Sequence, residues 1–535
     1  DPAKLGDGND RVERLSNLIA IFEKPELNFS KNRADNDDIL GDAYEYLMKN
    51  FASESGKSKG QFYTPSEVSR VMAKVIGISP ENSKANTSVY DPTCGSGSLL
   101  LKIASETGKH ITLDGQEMDV TTAGLARMNM ILHDFPTANI LTGSTLSSPK
   151  FLDGNNLRTY DYVVANPPFS SKTWSTGINP KSDPYQRFSW GVPPPKQGDY
   201  AFLLHIIRSM KSNGSAACIL PHGVLFRANA EAVIRKQLIK SGFLKAIIGL
   251  PVNLFYGTPI PACILCLDKK NSSQRKGVFM INAINGYKKD GSKNRLRDQD
   301  VHKIIDTYER LIDIPYYARM VPLSEISDSK NEYNLNLTRY IDNAKQEDLQ
   351  NIEGHIHGGI PKIDVDALSE YWEIFPSLKD ILFDKSDRID FLKLKIPYVD
   401  LKTTISNHSE FNLFNKLVIK SFEDWQNKNI PYLQNLKKGS SPKIIVKNLS
   451  EDLLMRFKSI SLIDEYRLYQ HLMDYWSEMM QDECYLISDV GWKDGAKPFE
   501  VIKTKNSNNK LVWPKVSYDY LKKKKRFKSD LIPSS

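Results

Sequence analysis

Apolar positions along this chain fall into two kinds of pattern, short continuous runs and stripes at helical spacing. Tyr160, Tyr162, Val163, Val164 and Ala165 form a run broken only by Asp161, which predicts a buried strand. The run stops at Asn166-Pro167-Pro168-Phe169, where two prolines forbid further ladder pairing and stiffen the exit. Val89 and Tyr90 predict a short strand upstream, and residues 111–119 a second that closes on an acid. Further strands are expected at 216–220, 245–250, 262–267 and 277–283, with helices over 121–132, 200–210 and 228–240. Strands alternating with helices predict the α/β class, with a doubly wound, mostly parallel sheet.

Other stripes lie outside this block. Leu40, Ala43, Tyr44, Leu47 and Phe51 recur at helical spacing and predict a helix from Asp37, whereas residues 1–34 are weakly patterned. Residues 53–60 read as a flexible loop. Residues 170–198 are rich in Ser, Pro, Gly, Lys and Trp and are expected to form a long functional loop with Trp174, Phe188 and Trp190 exposed. From about residue 346 the chain becomes helical, aromatic and Lys-rich, with helical spacing at Leu368, Tyr371, Trp372 and Phe375 and again at Leu468, Leu472, Tyr475 and Met479. Residues 437–442 read as a linker or exposed turn, and 522–528 as a basic tail, frayed or touching phosphates. The expected division is 1–50 as a helical remnant, 51–345 as the α/β domain and 346–535 as a helix-rich region.

Composition narrows the picture. The 535 residues include 40% apolar side chains, enough for real cores, and no apolar run long enough to span a membrane. The chain starts at Asp1 rather than Met, which reads as a fragment or a processed chain, and no signal peptide is visible. A net charge of +8 is compatible with a nucleic-acid backbone as partner. Five cysteines, odd in number and unevenly spaced, suit a reducing cytoplasm. Cys263 and Cys266 have zinc-knuckle spacing but lie in a strand-like run, where such positions face opposite sides, so no metal is expected.

The candidate chemistry gathers at the ends of the strands. Asn166 to Phe169 offer a planar amide, a carbonyl between prolines and an aromatic face, a set suited to a flat ring bearing an amino group. Upstream, Asp91 is followed by a turn in which Gly95 and Gly97, with Ser96 and Ser98, let the backbone pass close to a ligand before a helix opens. Glu117 follows Asp91 by 26 residues, close to where a ribose-binding acid is found in nucleotide-binding folds, with Asp119 the next candidate. Thr64, Pro65, Ser66 and Glu67 read as a capping box with proline at the first helical position.

DPTCGSG followed by NPPF resembles the S-adenosylmethionine-dependent adenine-N6 amino-methyltransferases. The preceding Gly60-Gln61-Phe62-Tyr63-Thr64-Pro65 is similar to the modification subunits of type I restriction-modification systems. GDYAFLLHII from Gly198, LPHGVLF from Leu220, LPVNLFYGTPIPACI from Leu250 and YNLNLTRYI from Tyr333 extend the resemblance over about residues 38–345. It implies a Rossmann-like methyltransferase sheet and S-adenosyl-L-methionine as cofactor, held by Gln61 to Ser66, Asp91, Gly95 to Ser98 and Glu117. The helix after Pro65 would turn its amino end toward the methionine carboxylate. It also implies that Asn166, Pro167, Pro168 and Phe169 grip a flipped-out adenine, with Phe255 the candidate for the other face against the alternative of a buried hairpin aromatic. Residues 170–198 read as a flap over the target nucleotide, against the alternative of a simple family insertion. Ser144 stands where relatives often carry an acid against the cofactor adenine, and at most a remnant of the family's N-terminal helical domain is present. DNA, a specificity subunit and a restriction subunit are the implied partners. The rival readings are a same-fold enzyme acting on protein glutamine or RNA, and an inactive assembly scaffold.

Overall fold

Nine strands form the central sheet: β1 (Ser88–Asp91), β2 (Thr112–Glu117), β3 (Asn139–Thr142), β4 (Tyr160–Ala165), β5 (Met210–Pro221), β6 (Leu244–Gly249), β7 (Ala262–Asp268), β8 (Gly277–Asn282) and β9 (Ala318–Pro322). Their spatial order is β9-β8-β6-β7-β5-β4-β1-β2-β3. Strands β3, β2, β1, β4 and β5 are mutually parallel, β6 and β8 run the same way, and β7 and β9 are antiparallel to their neighbours. The chain leaves β1 toward β2 and β3, then crosses back to β4 on the other side. The order therefore reverses between β1 and β4, and a cleft opens beyond their carboxyl ends.

The computed structural model describes residues 8–22, 64–108, 110–255, 258–342, 350–502, 504–505, 511–512, 520–522, 525–529 and 531. The expected helix from Asp37, the loop at 53–60 and Gln61, Phe62 and Tyr63 lie outside them. The chain forms two compact units, Asp38–Lys345 and a second made of Gln346–Ser535 with Asp1–Asp37.

Alternation along the strands builds two apolar layers on the first unit's sheet. Val89, Val164, Ala217, Ile248 and Phe279 face one layer, with helices α1 (Ser66–Val75), α2 (Ser98–Ser105), α3 (Val120–Leu132) and α6 (Asp298–Arg310) on that side. Tyr90, Val163, Ala165, Cys218 and Ile247 face the other, against α4 (Asp199–Arg208) and α5 (Ala230–Lys240). Cys263 and Cys266 fall in opposite layers, and no metal-holding cluster occurs among the described residues. No helix among them is long and apolar enough to cross a membrane.

The boundary between α4 and β5 and the packing of residues 170–198 differ from expectation. Helix α4 ends at Arg208, and β5 starts at Met210, because Met210 pairs with Tyr160 across an irregularity in the ladder. Residues 170–198 are not a loop with exposed aromatics. Trp174 and Phe188 are buried against each other at 5.4 Å between ring centres, and Trp190 is half-buried on Phe243. The cause is tertiary: the buried Arg187 guanidinium takes Asp183 at 2.6 Å and also donates to the Leu146 carbonyl at 2.9 Å. Gly198 admits the fold-back, since a Cβ there would meet Trp174 Cβ at 2.6 Å.

The second unit is mostly helical, with the helices Ser409–Gln434, Pro442–Phe457 and Glu465–Tyr475 around Leu449, Leu453, Phe457 and Trp476. The expected turn at 437–442 joins the first two. Pro376 divides the stripe at Leu368–Phe375 from the next helix, Pro376–Leu382. The basic tail is not frayed where described: Lys525–Lys528 pairs with Phe499–Val501 and Tyr520–Lys522, and Lys525 meets Glu500 at 2.7 Å.

Breaking one partner of a buried ion pair leaves the other charge buried and uncompensated. Arg187→Met should therefore lower the stability of the sheet unit by ~3–5 kcal/mol. Urea unfolding followed by near-ultraviolet circular dichroism checks this, and a loss below ~1 kcal/mol would mean that the pair does not anchor the segment.

Candidate active site at the sheet switch point

Strand β1 ends on Asp91, buried at 1% exposure, whose Oδ1 accepts the Thr93 amide at 2.9 Å. The turn that follows has Gly95 at φ +53° and Gly97 at φ +81°, both in the left-handed region that disfavours side chains. Gly97 also caps α2 and lies close under α3, where a Cβ would displace the end of the Met130 side chain. Ser96 and Ser98 are buried and share a hydroxyl contact of 2.9 Å.

Strand β2 ends on Glu117, whose two oxygens accept the backbone amides of Gly95 at 3.0 Å and Asp119 at 2.9 Å. Its side chain thus ties the glycine turn to the start of α3. Asp119 itself caps α3, accepting Thr122 N and Oγ1 at 2.8 Å each, so this second acid is engaged locally. Burial pushes both cleft acids up. Asp91 is raised to about 8, with the Thr93 amide opposing and the Glu117 charge adding, and Glu117 is raised while its backbone donors oppose.

The third wall comes from the turn after β3. Gly143 N donates to the Glu117 carbonyl at 2.8 Å, and Gln116 Nε2 holds the carbonyls of Gly143 and Ser148 at 3.0 Å each. Thr145 Oγ1 bonds the Pro92 carbonyl. Ser144 lines the cleft, as does Met118, which is 75% exposed. Neither Gln116 nor Met118 carries a motif that would single it out in the sequence.

Strand β4 delivers Asn166. Its Nδ2 donates to Thr64 Oγ1 at 3.0 Å, a contact across 102 residues that leaves Oδ1 for another donor. Thr64 is therefore not the first member of a capping box. Helix α1 starts at Ser66 with Pro65 as N-cap and no side-chain cap, because the threonine hydroxyl serves Asn166 instead. Pro167 is buried, Pro168 and Phe169 are half-buried, and Phe169 meets Phe255 edge-on at 5.6 Å and 72°. Phe255 is 2% exposed, and the T-shaped contact leaves no parallel slot for a base between the two rings. Phe255, expected as the second stacking face, here packs into the core against the edge of Phe169.

Two adjoining recesses result. The larger, about 370 Å³, has Glu117, Ser144, Asn166 and Pro168 on its walls. The smaller is lined by Thr64, Asp91, Gly95, Ser96, Ser98 and Asn166. Pro65 and Ser66 sit at the start of α1 beside Thr64, and Gly97 shapes the turn. The switch-point cleft thus joins residues from four separate stretches, with Asn166 common to both recesses.

Residues 35–349, more than half of the chain, match the N-6 DNA Methylase family. The chain belongs to that family. Among its relatives, the type I restriction enzyme MpnII methylase subunit of Mycoplasma pneumoniae is 33% identical over 72% of this chain and 70% of its own length. The MjaVIII methylase subunit of Methanocaldococcus jannaschii is 32% identical over 70% and 64%. A crystal structure of the type I restriction-modification system methyltransferase subunit from Streptococcus thermophilus aligns at 38% identity and a TM-score of 0.52, over 57% of this chain and 64% of that one. This chain therefore spans about two thirds of the length of these type I methylase subunits. In this N-6 DNA methylase the matched region ends close to the boundary of the sheet unit at Lys345.

The raised Asp91 makes stability depend on pH. The folded chain keeps a proton up to about 8 that the unfolded chain releases near 4, so stability falls as pH rises through that window. Asp91→Asn removes this dependence. The variant should match the parent near pH 4 and exceed it above about pH 8 by ~2–4 kcal/mol. Chemical denaturation across that range checks the sign, and equal stability at every pH would show that Asp91 is ionised without penalty.

Proposed function

We propose that this chain transfers a methyl group from S-adenosyl-L-methionine to N6 of adenine in DNA, as the modification subunit of a type I restriction-modification complex. The observation that carries the reading is the Asn166 amide at the carboxyl end of β4, its Nδ2 engaged by Thr64 and its side chain shared by the two recesses. An adenine amino group needs such an acceptor, and a nucleoside cofactor needs the two-acid cleft beside it.

The cleft residues fit the cofactor. Its volume of about 370 Å³ is in the range of small-molecule sites. The left-handed glycines bring bare backbone to the smaller recess, where Asp91 would meet the methionine amino group. Each Glu117 oxygen already accepts one amide and retains a second acceptor direction for the ribose hydroxyls. Met118 supplies an apolar wall and Ser144 a hydroxyl for the adenine ring. Gln61, Phe62 and Tyr63, expected at the same site, lie outside the described residues. Bound there, the sulfonium supplies an activated methyl group and a neutral leaving group.

Positioning and oriented dipoles do the rest. Asn166 Oδ1 and the Pro167 carbonyl accept the two N6 hydrogens and draw the nitrogen lone pair out of ring conjugation. Phe169 stacks on the base, and its ring is braced by the edge of Phe255. Reaching that stack requires flipping the base from the duplex at ~a few kcal/mol. Sequence reading falls to the specificity subunit, a restriction subunit adds ATP-dependent cleavage, and the complex works in the cytoplasm. The net charge of +8 suits a phosphate-contacting member of such a complex.

Methylation of defined duplexes tests this assignment. The chain alone should bind duplex DNA weakly and with strong salt dependence, and should methylate specific adenines only with a specificity subunit. Efficient site-specific methylation by the chain alone would overturn the type I role. Two variants should part company in the complex. Asn166→Ala should lose ~3 kcal/mol or more of transition-state stabilisation with cofactor affinity within a few-fold. Glu117→Ala should lose ~1.5–3 kcal/mol of cofactor binding by calorimetry. Ample turnover in the first, or unchanged affinity in the second, would reassign those residues.

A further inference from the structure

Directly after Phe169 the chain turns at Ser170, which sits at φ +50°, a conformation costly for a residue with a side chain. Something outside the turn has to hold it there. Asp199, the first residue of α4 and fully buried, accepts the Ser170 amide on Oδ1 at 2.6 Å. Its Oδ2 lies 3.4 Å from Ser170 Oγ and accepts Arg227 Nη1 at 2.9 Å. Arg227 Nη1 also lies 3.4 Å from Glu231 Oε1, and Gly223 leaves room for the guanidinium, since a Cβ there would come within 2.5 Å of Arg227 Nε. The GDYAF stretch, the LPHGVLFR stretch and the residue after NPPF thus converge on one network. Neither Asp199 nor Arg227 lines either recess.

We propose that Asp199, itself held by Arg227, is a positioning residue for the methyl-transfer step: it fixes the left-handed turn at Ser170 and thereby the plane of Phe169. The proposal rests on the methyl-transfer reading of the site. A carboxylate is required because two donors approach from different sides. An asparagine presents one oxygen and one amino group, so either the Ser170 amide or Arg227 would then face a donor.

The test uses the full chain, alone and assembled with its specificity subunit, with the variants Asp199→Asn and Arg227→Gln, each also combined with Ser170→Gly. Asp199→Asn should keep cofactor affinity within about three-fold and speed hydrogen exchange at the Phe169 and Ser170 amides while β4 stays protected. In the complex it should lower kcat by ~30-fold or more with an unchanged KM for the cofactor. Ser170→Gly makes the left-handed turn easy to adopt and should recover at least ~5-fold of that loss. Unchanged kcat, or a loss that Ser170→Gly does not relieve, overturns the proposal. If Asp199→Asn does not fold, Arg227→Gln is judged on the same readouts, and failure of both to fold assigns Asp199 to folding and also overturns it. A parent complex that methylates nothing, while Asp199→Asn still speeds exchange at Phe169, overturns the methyl-transfer reading itself, a result distinct from the others.

Discussion

The amides of Gly95 and Asp119 donate to opposite oxygens of Glu117 at 3.0 and 2.9 Å, and the shape of the cleft follows from that pair of bonds. One carboxylate organises the exits of two adjacent strands. It orients the glycine turn above α2 and the entry to α3, while its own backbone carbonyl takes Gly143 N from the third strand's turn. Three carboxyl-end turns are thus tied to a single residue. The parallel pairing of β1, β2 and β3 brings them side by side, and the reversal toward β4 leaves the opening they surround.

Much of this was legible because it is local. The Tyr160–Ala165 run is a strand because its side chains are short, β-branched or aromatic and its neighbours on both sides are strands. The glycine turn follows from what Gly95 and Gly97 alone can adopt. What escaped the sequence was set by contacts far apart in the chain. The hydroxyl of Thr64 looks like a helix cap until Asn166, 102 residues on, claims it. Trp174 and Phe188 look exposed in a polar, proline-rich stretch until Arg187 reaches back 41 residues to the Leu146 carbonyl and the stretch folds onto itself. Strand β9 and helix α6 carried no motif to draw attention to them.

Several buried charges gather around the cleft. Asp91, Asp199, Glu231 and Arg187 lie in or behind the cleft and its following segment, while Asp114 is buried within β2 against Tyr160 and Arg158. Burying an ionisable group is unfavourable unless partners meet it, so around the cleft the fold gives up stability for geometry. Asp91 is the clearest case, because one amide is its named partner and burial raises it to about 8.

The bond between Thr64 and Asn166 also bears on how the tetrapeptide can be used. Transplanted alone to the end of another parallel strand, Asn-Pro-Pro-Phe would bring an amide free to rotate about its terminal torsion, presenting nitrogen as readily as oxygen. Here Nδ2 is engaged by the Thr64 hydroxyl, just ahead of α1, which leaves Oδ1 open to a donor. The four residues are therefore not a portable part, and the smallest unit that could be grafted includes the start of α1 and the sheet register that brings the two together.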